Sequence, residues 1–208
     1  MEALTKILSA GVELFSQYGF KTITMDDIAR RAGISKKTLY QHFANKEEVV
    51  REAVIWYKNH LDTQCRAMME DTENAIEAMV RIKTMMDHSY KQTNPMVIME
   101  LQRYYPEGYK VFRESLVTQD VEAVKKNLQQ GIEEGLYREN LNVDLVARFH
   151  IESALLLMQP NLMVNEREDL KAVNHEITEL FLYGIMTPKG EKLYHKYKEK
   201  YLKHATKS

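Results

Sequence analysis

Apolar residues recur along most of this chain at intervals of three and four, the spacing that lines one face of an α-helix. Leu4, Ile7, Leu8, Val12, Leu14, Phe15 and Tyr18 form the first such stripe, and Gly19 ends it. Two short helices follow, Thr24–Ala32 and Ser35–Phe43, with Gly33 between them. A long one starts at Asn45 and reaches Glu70. Further helices are expected at 72–92, 95–103, 107–135, 143–160, 167–186 and 191–204. Pro95 and Pro106 mark boundaries, and the stretches 134–138, 160–165 and 188–190 read as turns or loops. With four prolines and eight glycines in 208 residues and few β-branched runs, the expected fold class is all-α.

The two short helices carry the sharpest local signals. Thr24 is a good N-cap, Asp27 completes a capping box, and Ile23 and Ile28 stand where a hydrophobic staple belongs. Asp26 and Asp27 suit the positive end of the helix dipole. Gly33 stops the first helix at a position where positive φ is easy for glycine, and Ser35 caps the second. On the second helix Ser35, Leu39 and Phe43 share one face, Lys37 and Gln41 point the opposite way, and Thr38 and Tyr40 lie on the flanks. Small Ala29 lets the pair approach closely. This is the layout of a helix-turn-helix, whose second helix enters the DNA major groove. From Ile28 to Lys46 there are Arg30, Arg31, Lys36, Lys37 and Lys46 and no Asp or Glu, an electrostatic footprint for phosphates. A basic helical hairpin that merely stays soluble is the bland alternative.

Ile7 to Val50, from ILSAGVELFSQYGF through TITMDDIARRAGISKKTLYQHF to ANKEEVV, resembles the DNA-binding domain of the TetR family of bacterial transcriptional regulators. The resemblance implies an N-terminal three-helix helix-turn-helix domain and a larger C-terminal helical domain for ligand binding and dimerisation. The boundaries expected are 1–46 for the DNA-binding domain, 47–188 for the regulatory domain, and 189–208 for a basic amphipathic extension. The helix from Asn45 is the natural rod between the two domains.

On the helical wheel, Lys37 and Gln41 face outward with Lys36, Thr38 and Tyr40 at the rim. Lysine can donate to guanine O6 or N7, and glutamine can pair with adenine N6 and N7. The resemblance adds His42 to the DNA face and implies phosphate contacts from Thr24, Tyr40, His42 and Lys46. Without it, His42 reads more readily as a partly buried spacer. The resemblance also implies a homodimer on a palindromic double-stranded operator, joined through the last two long helices, here 118–135 and 167–186. Val117, Val121, Val124, Leu128, Ile132, Leu170, Val173, Ile177, Leu180 and Phe181 supply apolar stripes for that bundle, or for packing within one chain.

Residues 56–163 are rich in methionine and aromatics. Trp56, Tyr57, His60, Met86, Tyr90, Met99, Tyr104, Phe149 and Met158 are candidates to line a small-molecule cavity, although ordinary core is the plainer reading of any one of them. The resemblance implies such a pocket, whose filling by an effector weakens DNA binding, and hence a repressor. An activator, or a ligand-independent or architectural DNA binder, would use the same fold.

Charge is unevenly spread, +3 over 1–46, −9 over 47–188 and +5 over 189–208, which confines DNA to the helix-turn-helix end. In the extension Leu193, Tyr194, Tyr197 and Tyr201 recur at helical spacing among lysines. They could pack on their own body, on a second subunit or against an acidic surface. Cys65 is the only cysteine, so no intrachain disulfide or cysteine-cluster zinc site is possible, in keeping with a cytoplasmic protein. No apolar run is long enough for a membrane span and the N-terminus does not read as a signal peptide. HExxH, P-loop, GxGxxG and GxSxG motifs are absent, so no enzyme, cofactor or metal is expected. Asp87 with His88, and His150 with Glu152, are poorly spaced to converge on a metal.

Overall fold

The computed structural model describes residues 2–90, 93–94, 96–156 and 170–201, with only the backbone of Tyr90 and Leu170. It is all-helical: α1 Glu2–Tyr18, α2 Met25–Ala32, α3 Lys36–His42, α4 Lys46–Glu70, α5 Ala75–Tyr90, α6 Val97–Tyr104, α7 Pro106–Ser115, α8 Val121–Glu133, α9 Val143–Leu156, α10 Leu170–Ile185 and α11 Pro188–Tyr201. No helix among the described residues is long and apolar enough to cross a membrane.

Two compact units emerge. The first comprises Met1–Leu61 with Gln92–Ser115. Its core is built from Ile7, Leu8 and Phe15 of α1, Met25, Ile28 and Ala29 of α2, Leu39 of α3, and Val49, Val50 and Ala53 of α4. Val97, Leu101 and Phe112 add the buried side of α6 and α7. Leu4 and Tyr18 lie on the correct face of α1 but at its two ends, beyond the covering helices, and are 39% and 50% exposed. Gly108 brings α7 close to α4: a Cβ there would meet Val50 Cγ1 at 3.3 Å and the Arg51 backbone at 3.9 Å.

The second unit comprises Asp62–Lys91 with Leu116–Ser208. Ala75, Ile76, Met79 and Val80 of α5 pack with Val121 and Leu128 of α8, Ala147 of α9, and Phe181, Leu182 and Ile185 of α10. The expected single helix over 107–135 is interrupted by a π-helical stretch, Leu116–Asp120. Its far end turns at Gly135 (φ +68°), as the Glu134–Arg138 pattern implied. The Tyr137 ring then lies across Gly131, where a Cβ would sit 2.1 Å from it. The Tyr137 hydroxyl donates to Asn127 Oδ1 at 3.1 Å, so this deeply buried phenol has a partner. Burial raises its pKa.

The 188–190 stretch is not a loop. Pro188 opens α11, where its missing N–H is no loss, and the Thr187 hydroxyl accepts from the Gly190 N–H at 3.2 Å. Of the three uses open to the C-terminal helix, packing on its own body is the one observed. Tyr194 and Tyr197 are 0% and 1% exposed. The Tyr194 hydroxyl donates to Glu179 Oε1 at 2.5 Å, and that of Tyr197 to Glu73 Oε2 at 3.0 Å.

The expected interface stripe on 118–135 is largely this unit's own core. Val121 and Leu128 are buried, Val124 and Ile132 pack against the same cluster, and Phe181 of α10 joins it. Among the described residues of this unit, the large apolar side chains left in the open lie on α9 and α10, Leu145 and Phe149 at 63%, Leu156 at 47%, Leu180 at 74% and Tyr183 at 43%, with Val117 of the π-helical stretch at 51%.

Candidate nucleic-acid interface

α2 begins where the capping box fixes it. The Thr24 hydroxyl accepts from the Asp27 N–H at 3.2 Å and donates to Asp27 Oδ2 at 2.6 Å, while the Thr24 N–H donates to Oδ2 at 3.0 Å. These hydrogen bonds, the hydroxyl first, hold the Asp27 carboxyl below its ordinary pKa. Ile23 and Ile28 are buried beneath it. Gly33 ends α2 at φ +68°, and the Ile34 N–H donates to the Ala29 carbonyl at 3.0 Å. The Ser35 hydroxyl accepts from the Thr38 N–H at 3.0 Å and starts α3. Ser35 itself is exposed, so the inward face of α3 is Leu39 with Phe43 just beyond its end.

Lys37 and Gln41 are exposed on the opposite face, as are Lys36, Tyr40 and His42, with Thr38 half-buried. The Thr38 hydroxyl is hydrogen-bonded to that of Ser35 at 2.8 Å. The His42 ring stands 6.5 Å from the Phe43 ring, on the solvent side. α3 therefore presents a short polar face of amines, hydroxyls, an amide and an imidazole, all able to donate to base edges or phosphates.

The basic surface is less free than the run of residues suggests, because its counterions come from outside it. The Arg31 guanidinium pairs with Glu13, donating from Nε to Oε2 at 3.0 Å. Lys36 Nζ lies 2.8 Å from Asp26 Oδ1, and Arg30 Nη2 3.3 Å from Asp27 Oδ1. These pairs are exposed, so each is weak and can exchange its carboxylate for a phosphate. Among the described residues Lys37 has no ion-pair partner.

Two expected phosphate donors are engaged within the chain. The Thr24 hydroxyl proton is committed to Asp27. Lys46 Nζ donates to the Phe20 carbonyl and lies 5.6 Å from the centre of the Tyr105 ring. Burial lowers the Lys46 pKa, opposed by the charges of Glu100 and Asp27. Lys46, expected as a phosphate donor, is half-buried and bonded to the turn before α2.

The candidate cavity residues are divided between the units. Trp56, Tyr57, His60, Met99 and Tyr104 belong to the first, Met86, Tyr90 and Phe149 to the second. Trp56 and His60 stack at 5.2 Å. Trp56, Tyr57, Met86 and Met99 are half-buried and His60 is exposed. Tyr104 and Phe149 are 45% and 63% exposed and so are surface residues, not enclosed walls. The side chain of Tyr90 and all of Met158 lie outside the described residues. Asp87 does not turn toward His88: it is buried against Lys83 Nζ at 2.5 Å and accepts from Asn174 Nδ2 at 2.9 Å, while His88 is exposed.

The sequence model of bacterial regulatory proteins of the tetR family matches residues 7–53, the span of α1 to the start of α4. The HTH-type transcriptional repressor KstR2 of Mycobacterium tuberculosis is 31% identical over 147 residues, covering 69% of this chain and 74% of the relative. The solved structure of that ketosteroid regulator superposes with a TM-score of 0.56 at 25% identity, over 88% of this chain and 95% of its own. A transcriptional regulator from Cytophaga hutchinsonii gives a TM-score of 0.70 at 22% identity over 88% and 98% of the two chains. FadR from Bacillus subtilis in complex with stearoyl-CoA gives 0.62 at 20% identity over 87% and 98%. Fold and relatives agree, and the chain belongs to the TetR family of DNA-binding transcriptional regulators.

Proposed function

We propose that the protein is a homodimeric repressor that holds an operator of two related half-sites and is released by a small ligand with a largely apolar body. The observation that carries this is the outer face of α3, where Lys37 and Gln41 stand exposed on a helix locked by caps at both ends. One short helix reads too few base pairs for genomic specificity, and a symmetric pair answers that need. A second copy would cover the open apolar face of α9 and α10, which as a four-helix bundle replaces the 118–135 face first expected. Lys37 and Gln41 read bases, and Lys36, Thr38, Tyr40 and His42 hold the adjacent backbone. Thr24 donates to phosphate only by giving up its bond to Asp27, whereas the Lys46 ammonium, with one of its three donors on the Phe20 carbonyl, keeps donors for one.

The ligand class draws support from the relatives, one a ketosteroid regulator and one bound to stearoyl-CoA. Release is a population shift: a ligand that prefers the wrongly spaced dimer lowers operator occupancy by its differential affinity, and one that binds both forms equally does nothing. Thermal-shift measurements against steroid ketones and long-chain acyl-CoA thioesters test this. A compound that raises the melting temperature should also weaken binding to a duplex recovered from genomic fragments. Stabilisers that leave duplex affinity unchanged would contradict release by ligand.

A further inference from the structure

The turn that leads into α2 is held from a distant part of the chain. Glu100 on α6 accepts a hydrogen bond from the Lys21 N–H at 2.9 Å. Its carboxylate fills the space beside Gly19, where φ is +80° and a Cβ would stand 2.7 Å from Oε2. From the other side Lys46, the first residue of α4, donates to the Phe20 carbonyl. The Tyr105 ring, just after α6, lies 5.6 Å from Phe20, which stacks on Phe15 of α1 at 4.8 Å. The Lys21 N–H and the Phe20 carbonyl, two polar backbone groups of a three-residue turn, are thus taken by side chains of α6 and α4. All these residues lie in one compact unit.

We propose that Glu100 is a positioning residue for DNA recognition: by holding the Lys21 amide it fixes the angle at which α2 and α3 leave α1, without touching DNA itself. The proposal rests on α3 being the DNA reader. With the carboxylate gone, the turn samples other conformations that water can solvate equally well. The helix-turn-helix then presents its reading face correctly in only a fraction of molecules, and the apparent dissociation constant rises by the reciprocal of that fraction. A glutamine keeps an oxygen that can accept the same amide hydrogen.

The test compares wild type, Glu100→Met and Glu100→Gln on the duplex that the wild type selects from genomic fragments, well below each melting temperature. Hydrogen exchange of the Lys21 amide is followed in parallel. We expect Glu100→Met to bind at least tenfold more weakly, with faster Lys21 exchange and unchanged helix content. Glu100→Gln should restore affinity to within about threefold and slow the exchange again. Met-variant affinity within twofold of wild type, or a Gln variant as weak as Met, would overturn the positioning role. Should Glu100→Met not fold, the Gln variant decides: a tenfold loss there overturns it, and near-wild-type binding with slow Lys21 exchange supports it. Failure of the wild type itself to select any duplex would instead sink the DNA-reading assignment.

Discussion

Thr24 and Asp27 each complete the other's hydrogen bonding, so the start of α2 depends on two side chains three residues apart. Thr24→Ala should cost about 1 kcal/mol of stability, read from urea midpoints. The Asp27 pKa is lowered in the folded state, so its contribution is complete above the ordinary carboxylate range and is lost as pH falls through the folded value. The Thr24→Ala deficit should therefore shrink at pH 2. His150 behaves with the same sign for a different reason. Its ring stacks on Phe181 at 4.1 Å, and burial pushes its pKa from 6.5 down to about 4. Between those values the unfolded imidazole binds a proton that the folded one does not, so stability falls as pH drops through that window. His150→Phe should remove this part of the acid sensitivity in melts between pH 7 and pH 4. On α3, Lys37→Ala and Gln41→Ala should each relax discrimination at one base position by about 1–3 kcal/mol.

At the scale of elements, local chemistry decided what the sequence made legible. The caps of α2 and α3, the Gly33 turn and the Leu39 contact all lie within a few residues of what they determine, and each reads directly from the chain. The Glu100 link to Lys21 spans seventy-nine residues and left no local trace. The same holds for the carboxylates of Glu13 and Asp26, which come from outside the basic run to pair with Arg31 and Lys36. Pro188 and Gly190 look like loop residues, but the chain at Leu136 demands a glycine, since a Cβ at 190 would meet its carbonyl oxygen at 2.2 Å. The apolar period of 118–135 is legible but the choice between a second chain and its own is not, because periodicity names a buried face and not the chain that buries it. α11 belongs to the body of its unit. Tyr197→Ala should lower stability by about 3–5 kcal/mol, as for other large buried rings. Tyr197→Phe, which removes only the bonds to Glu73 and Asn74, should cost about 1 kcal/mol.

For the whole molecule, the proposed function requires two copies presenting α3 to one duplex. If the open face of α9 and α10 joins them, Phe149→Glu with Leu180→Glu should sediment as a monomer, keep its helix content and lose most of its operator affinity. A dimer that survives both changes would place the interface elsewhere. The most direct test of DNA reading by α3 is selection of bound genomic fragments by wild type and by the Lys37→Ala and Gln41→Ala variants. We expect the wild type to recover an inverted repeat, its half-sites separated by one turn of about 34–36 Å or a multiple of it. Each variant should change the bases preferred at the same symmetric position in both halves. Recovery of no recurrent sequence, or of one identical repeat by all three proteins, would contradict the assignment of α3 as the reader.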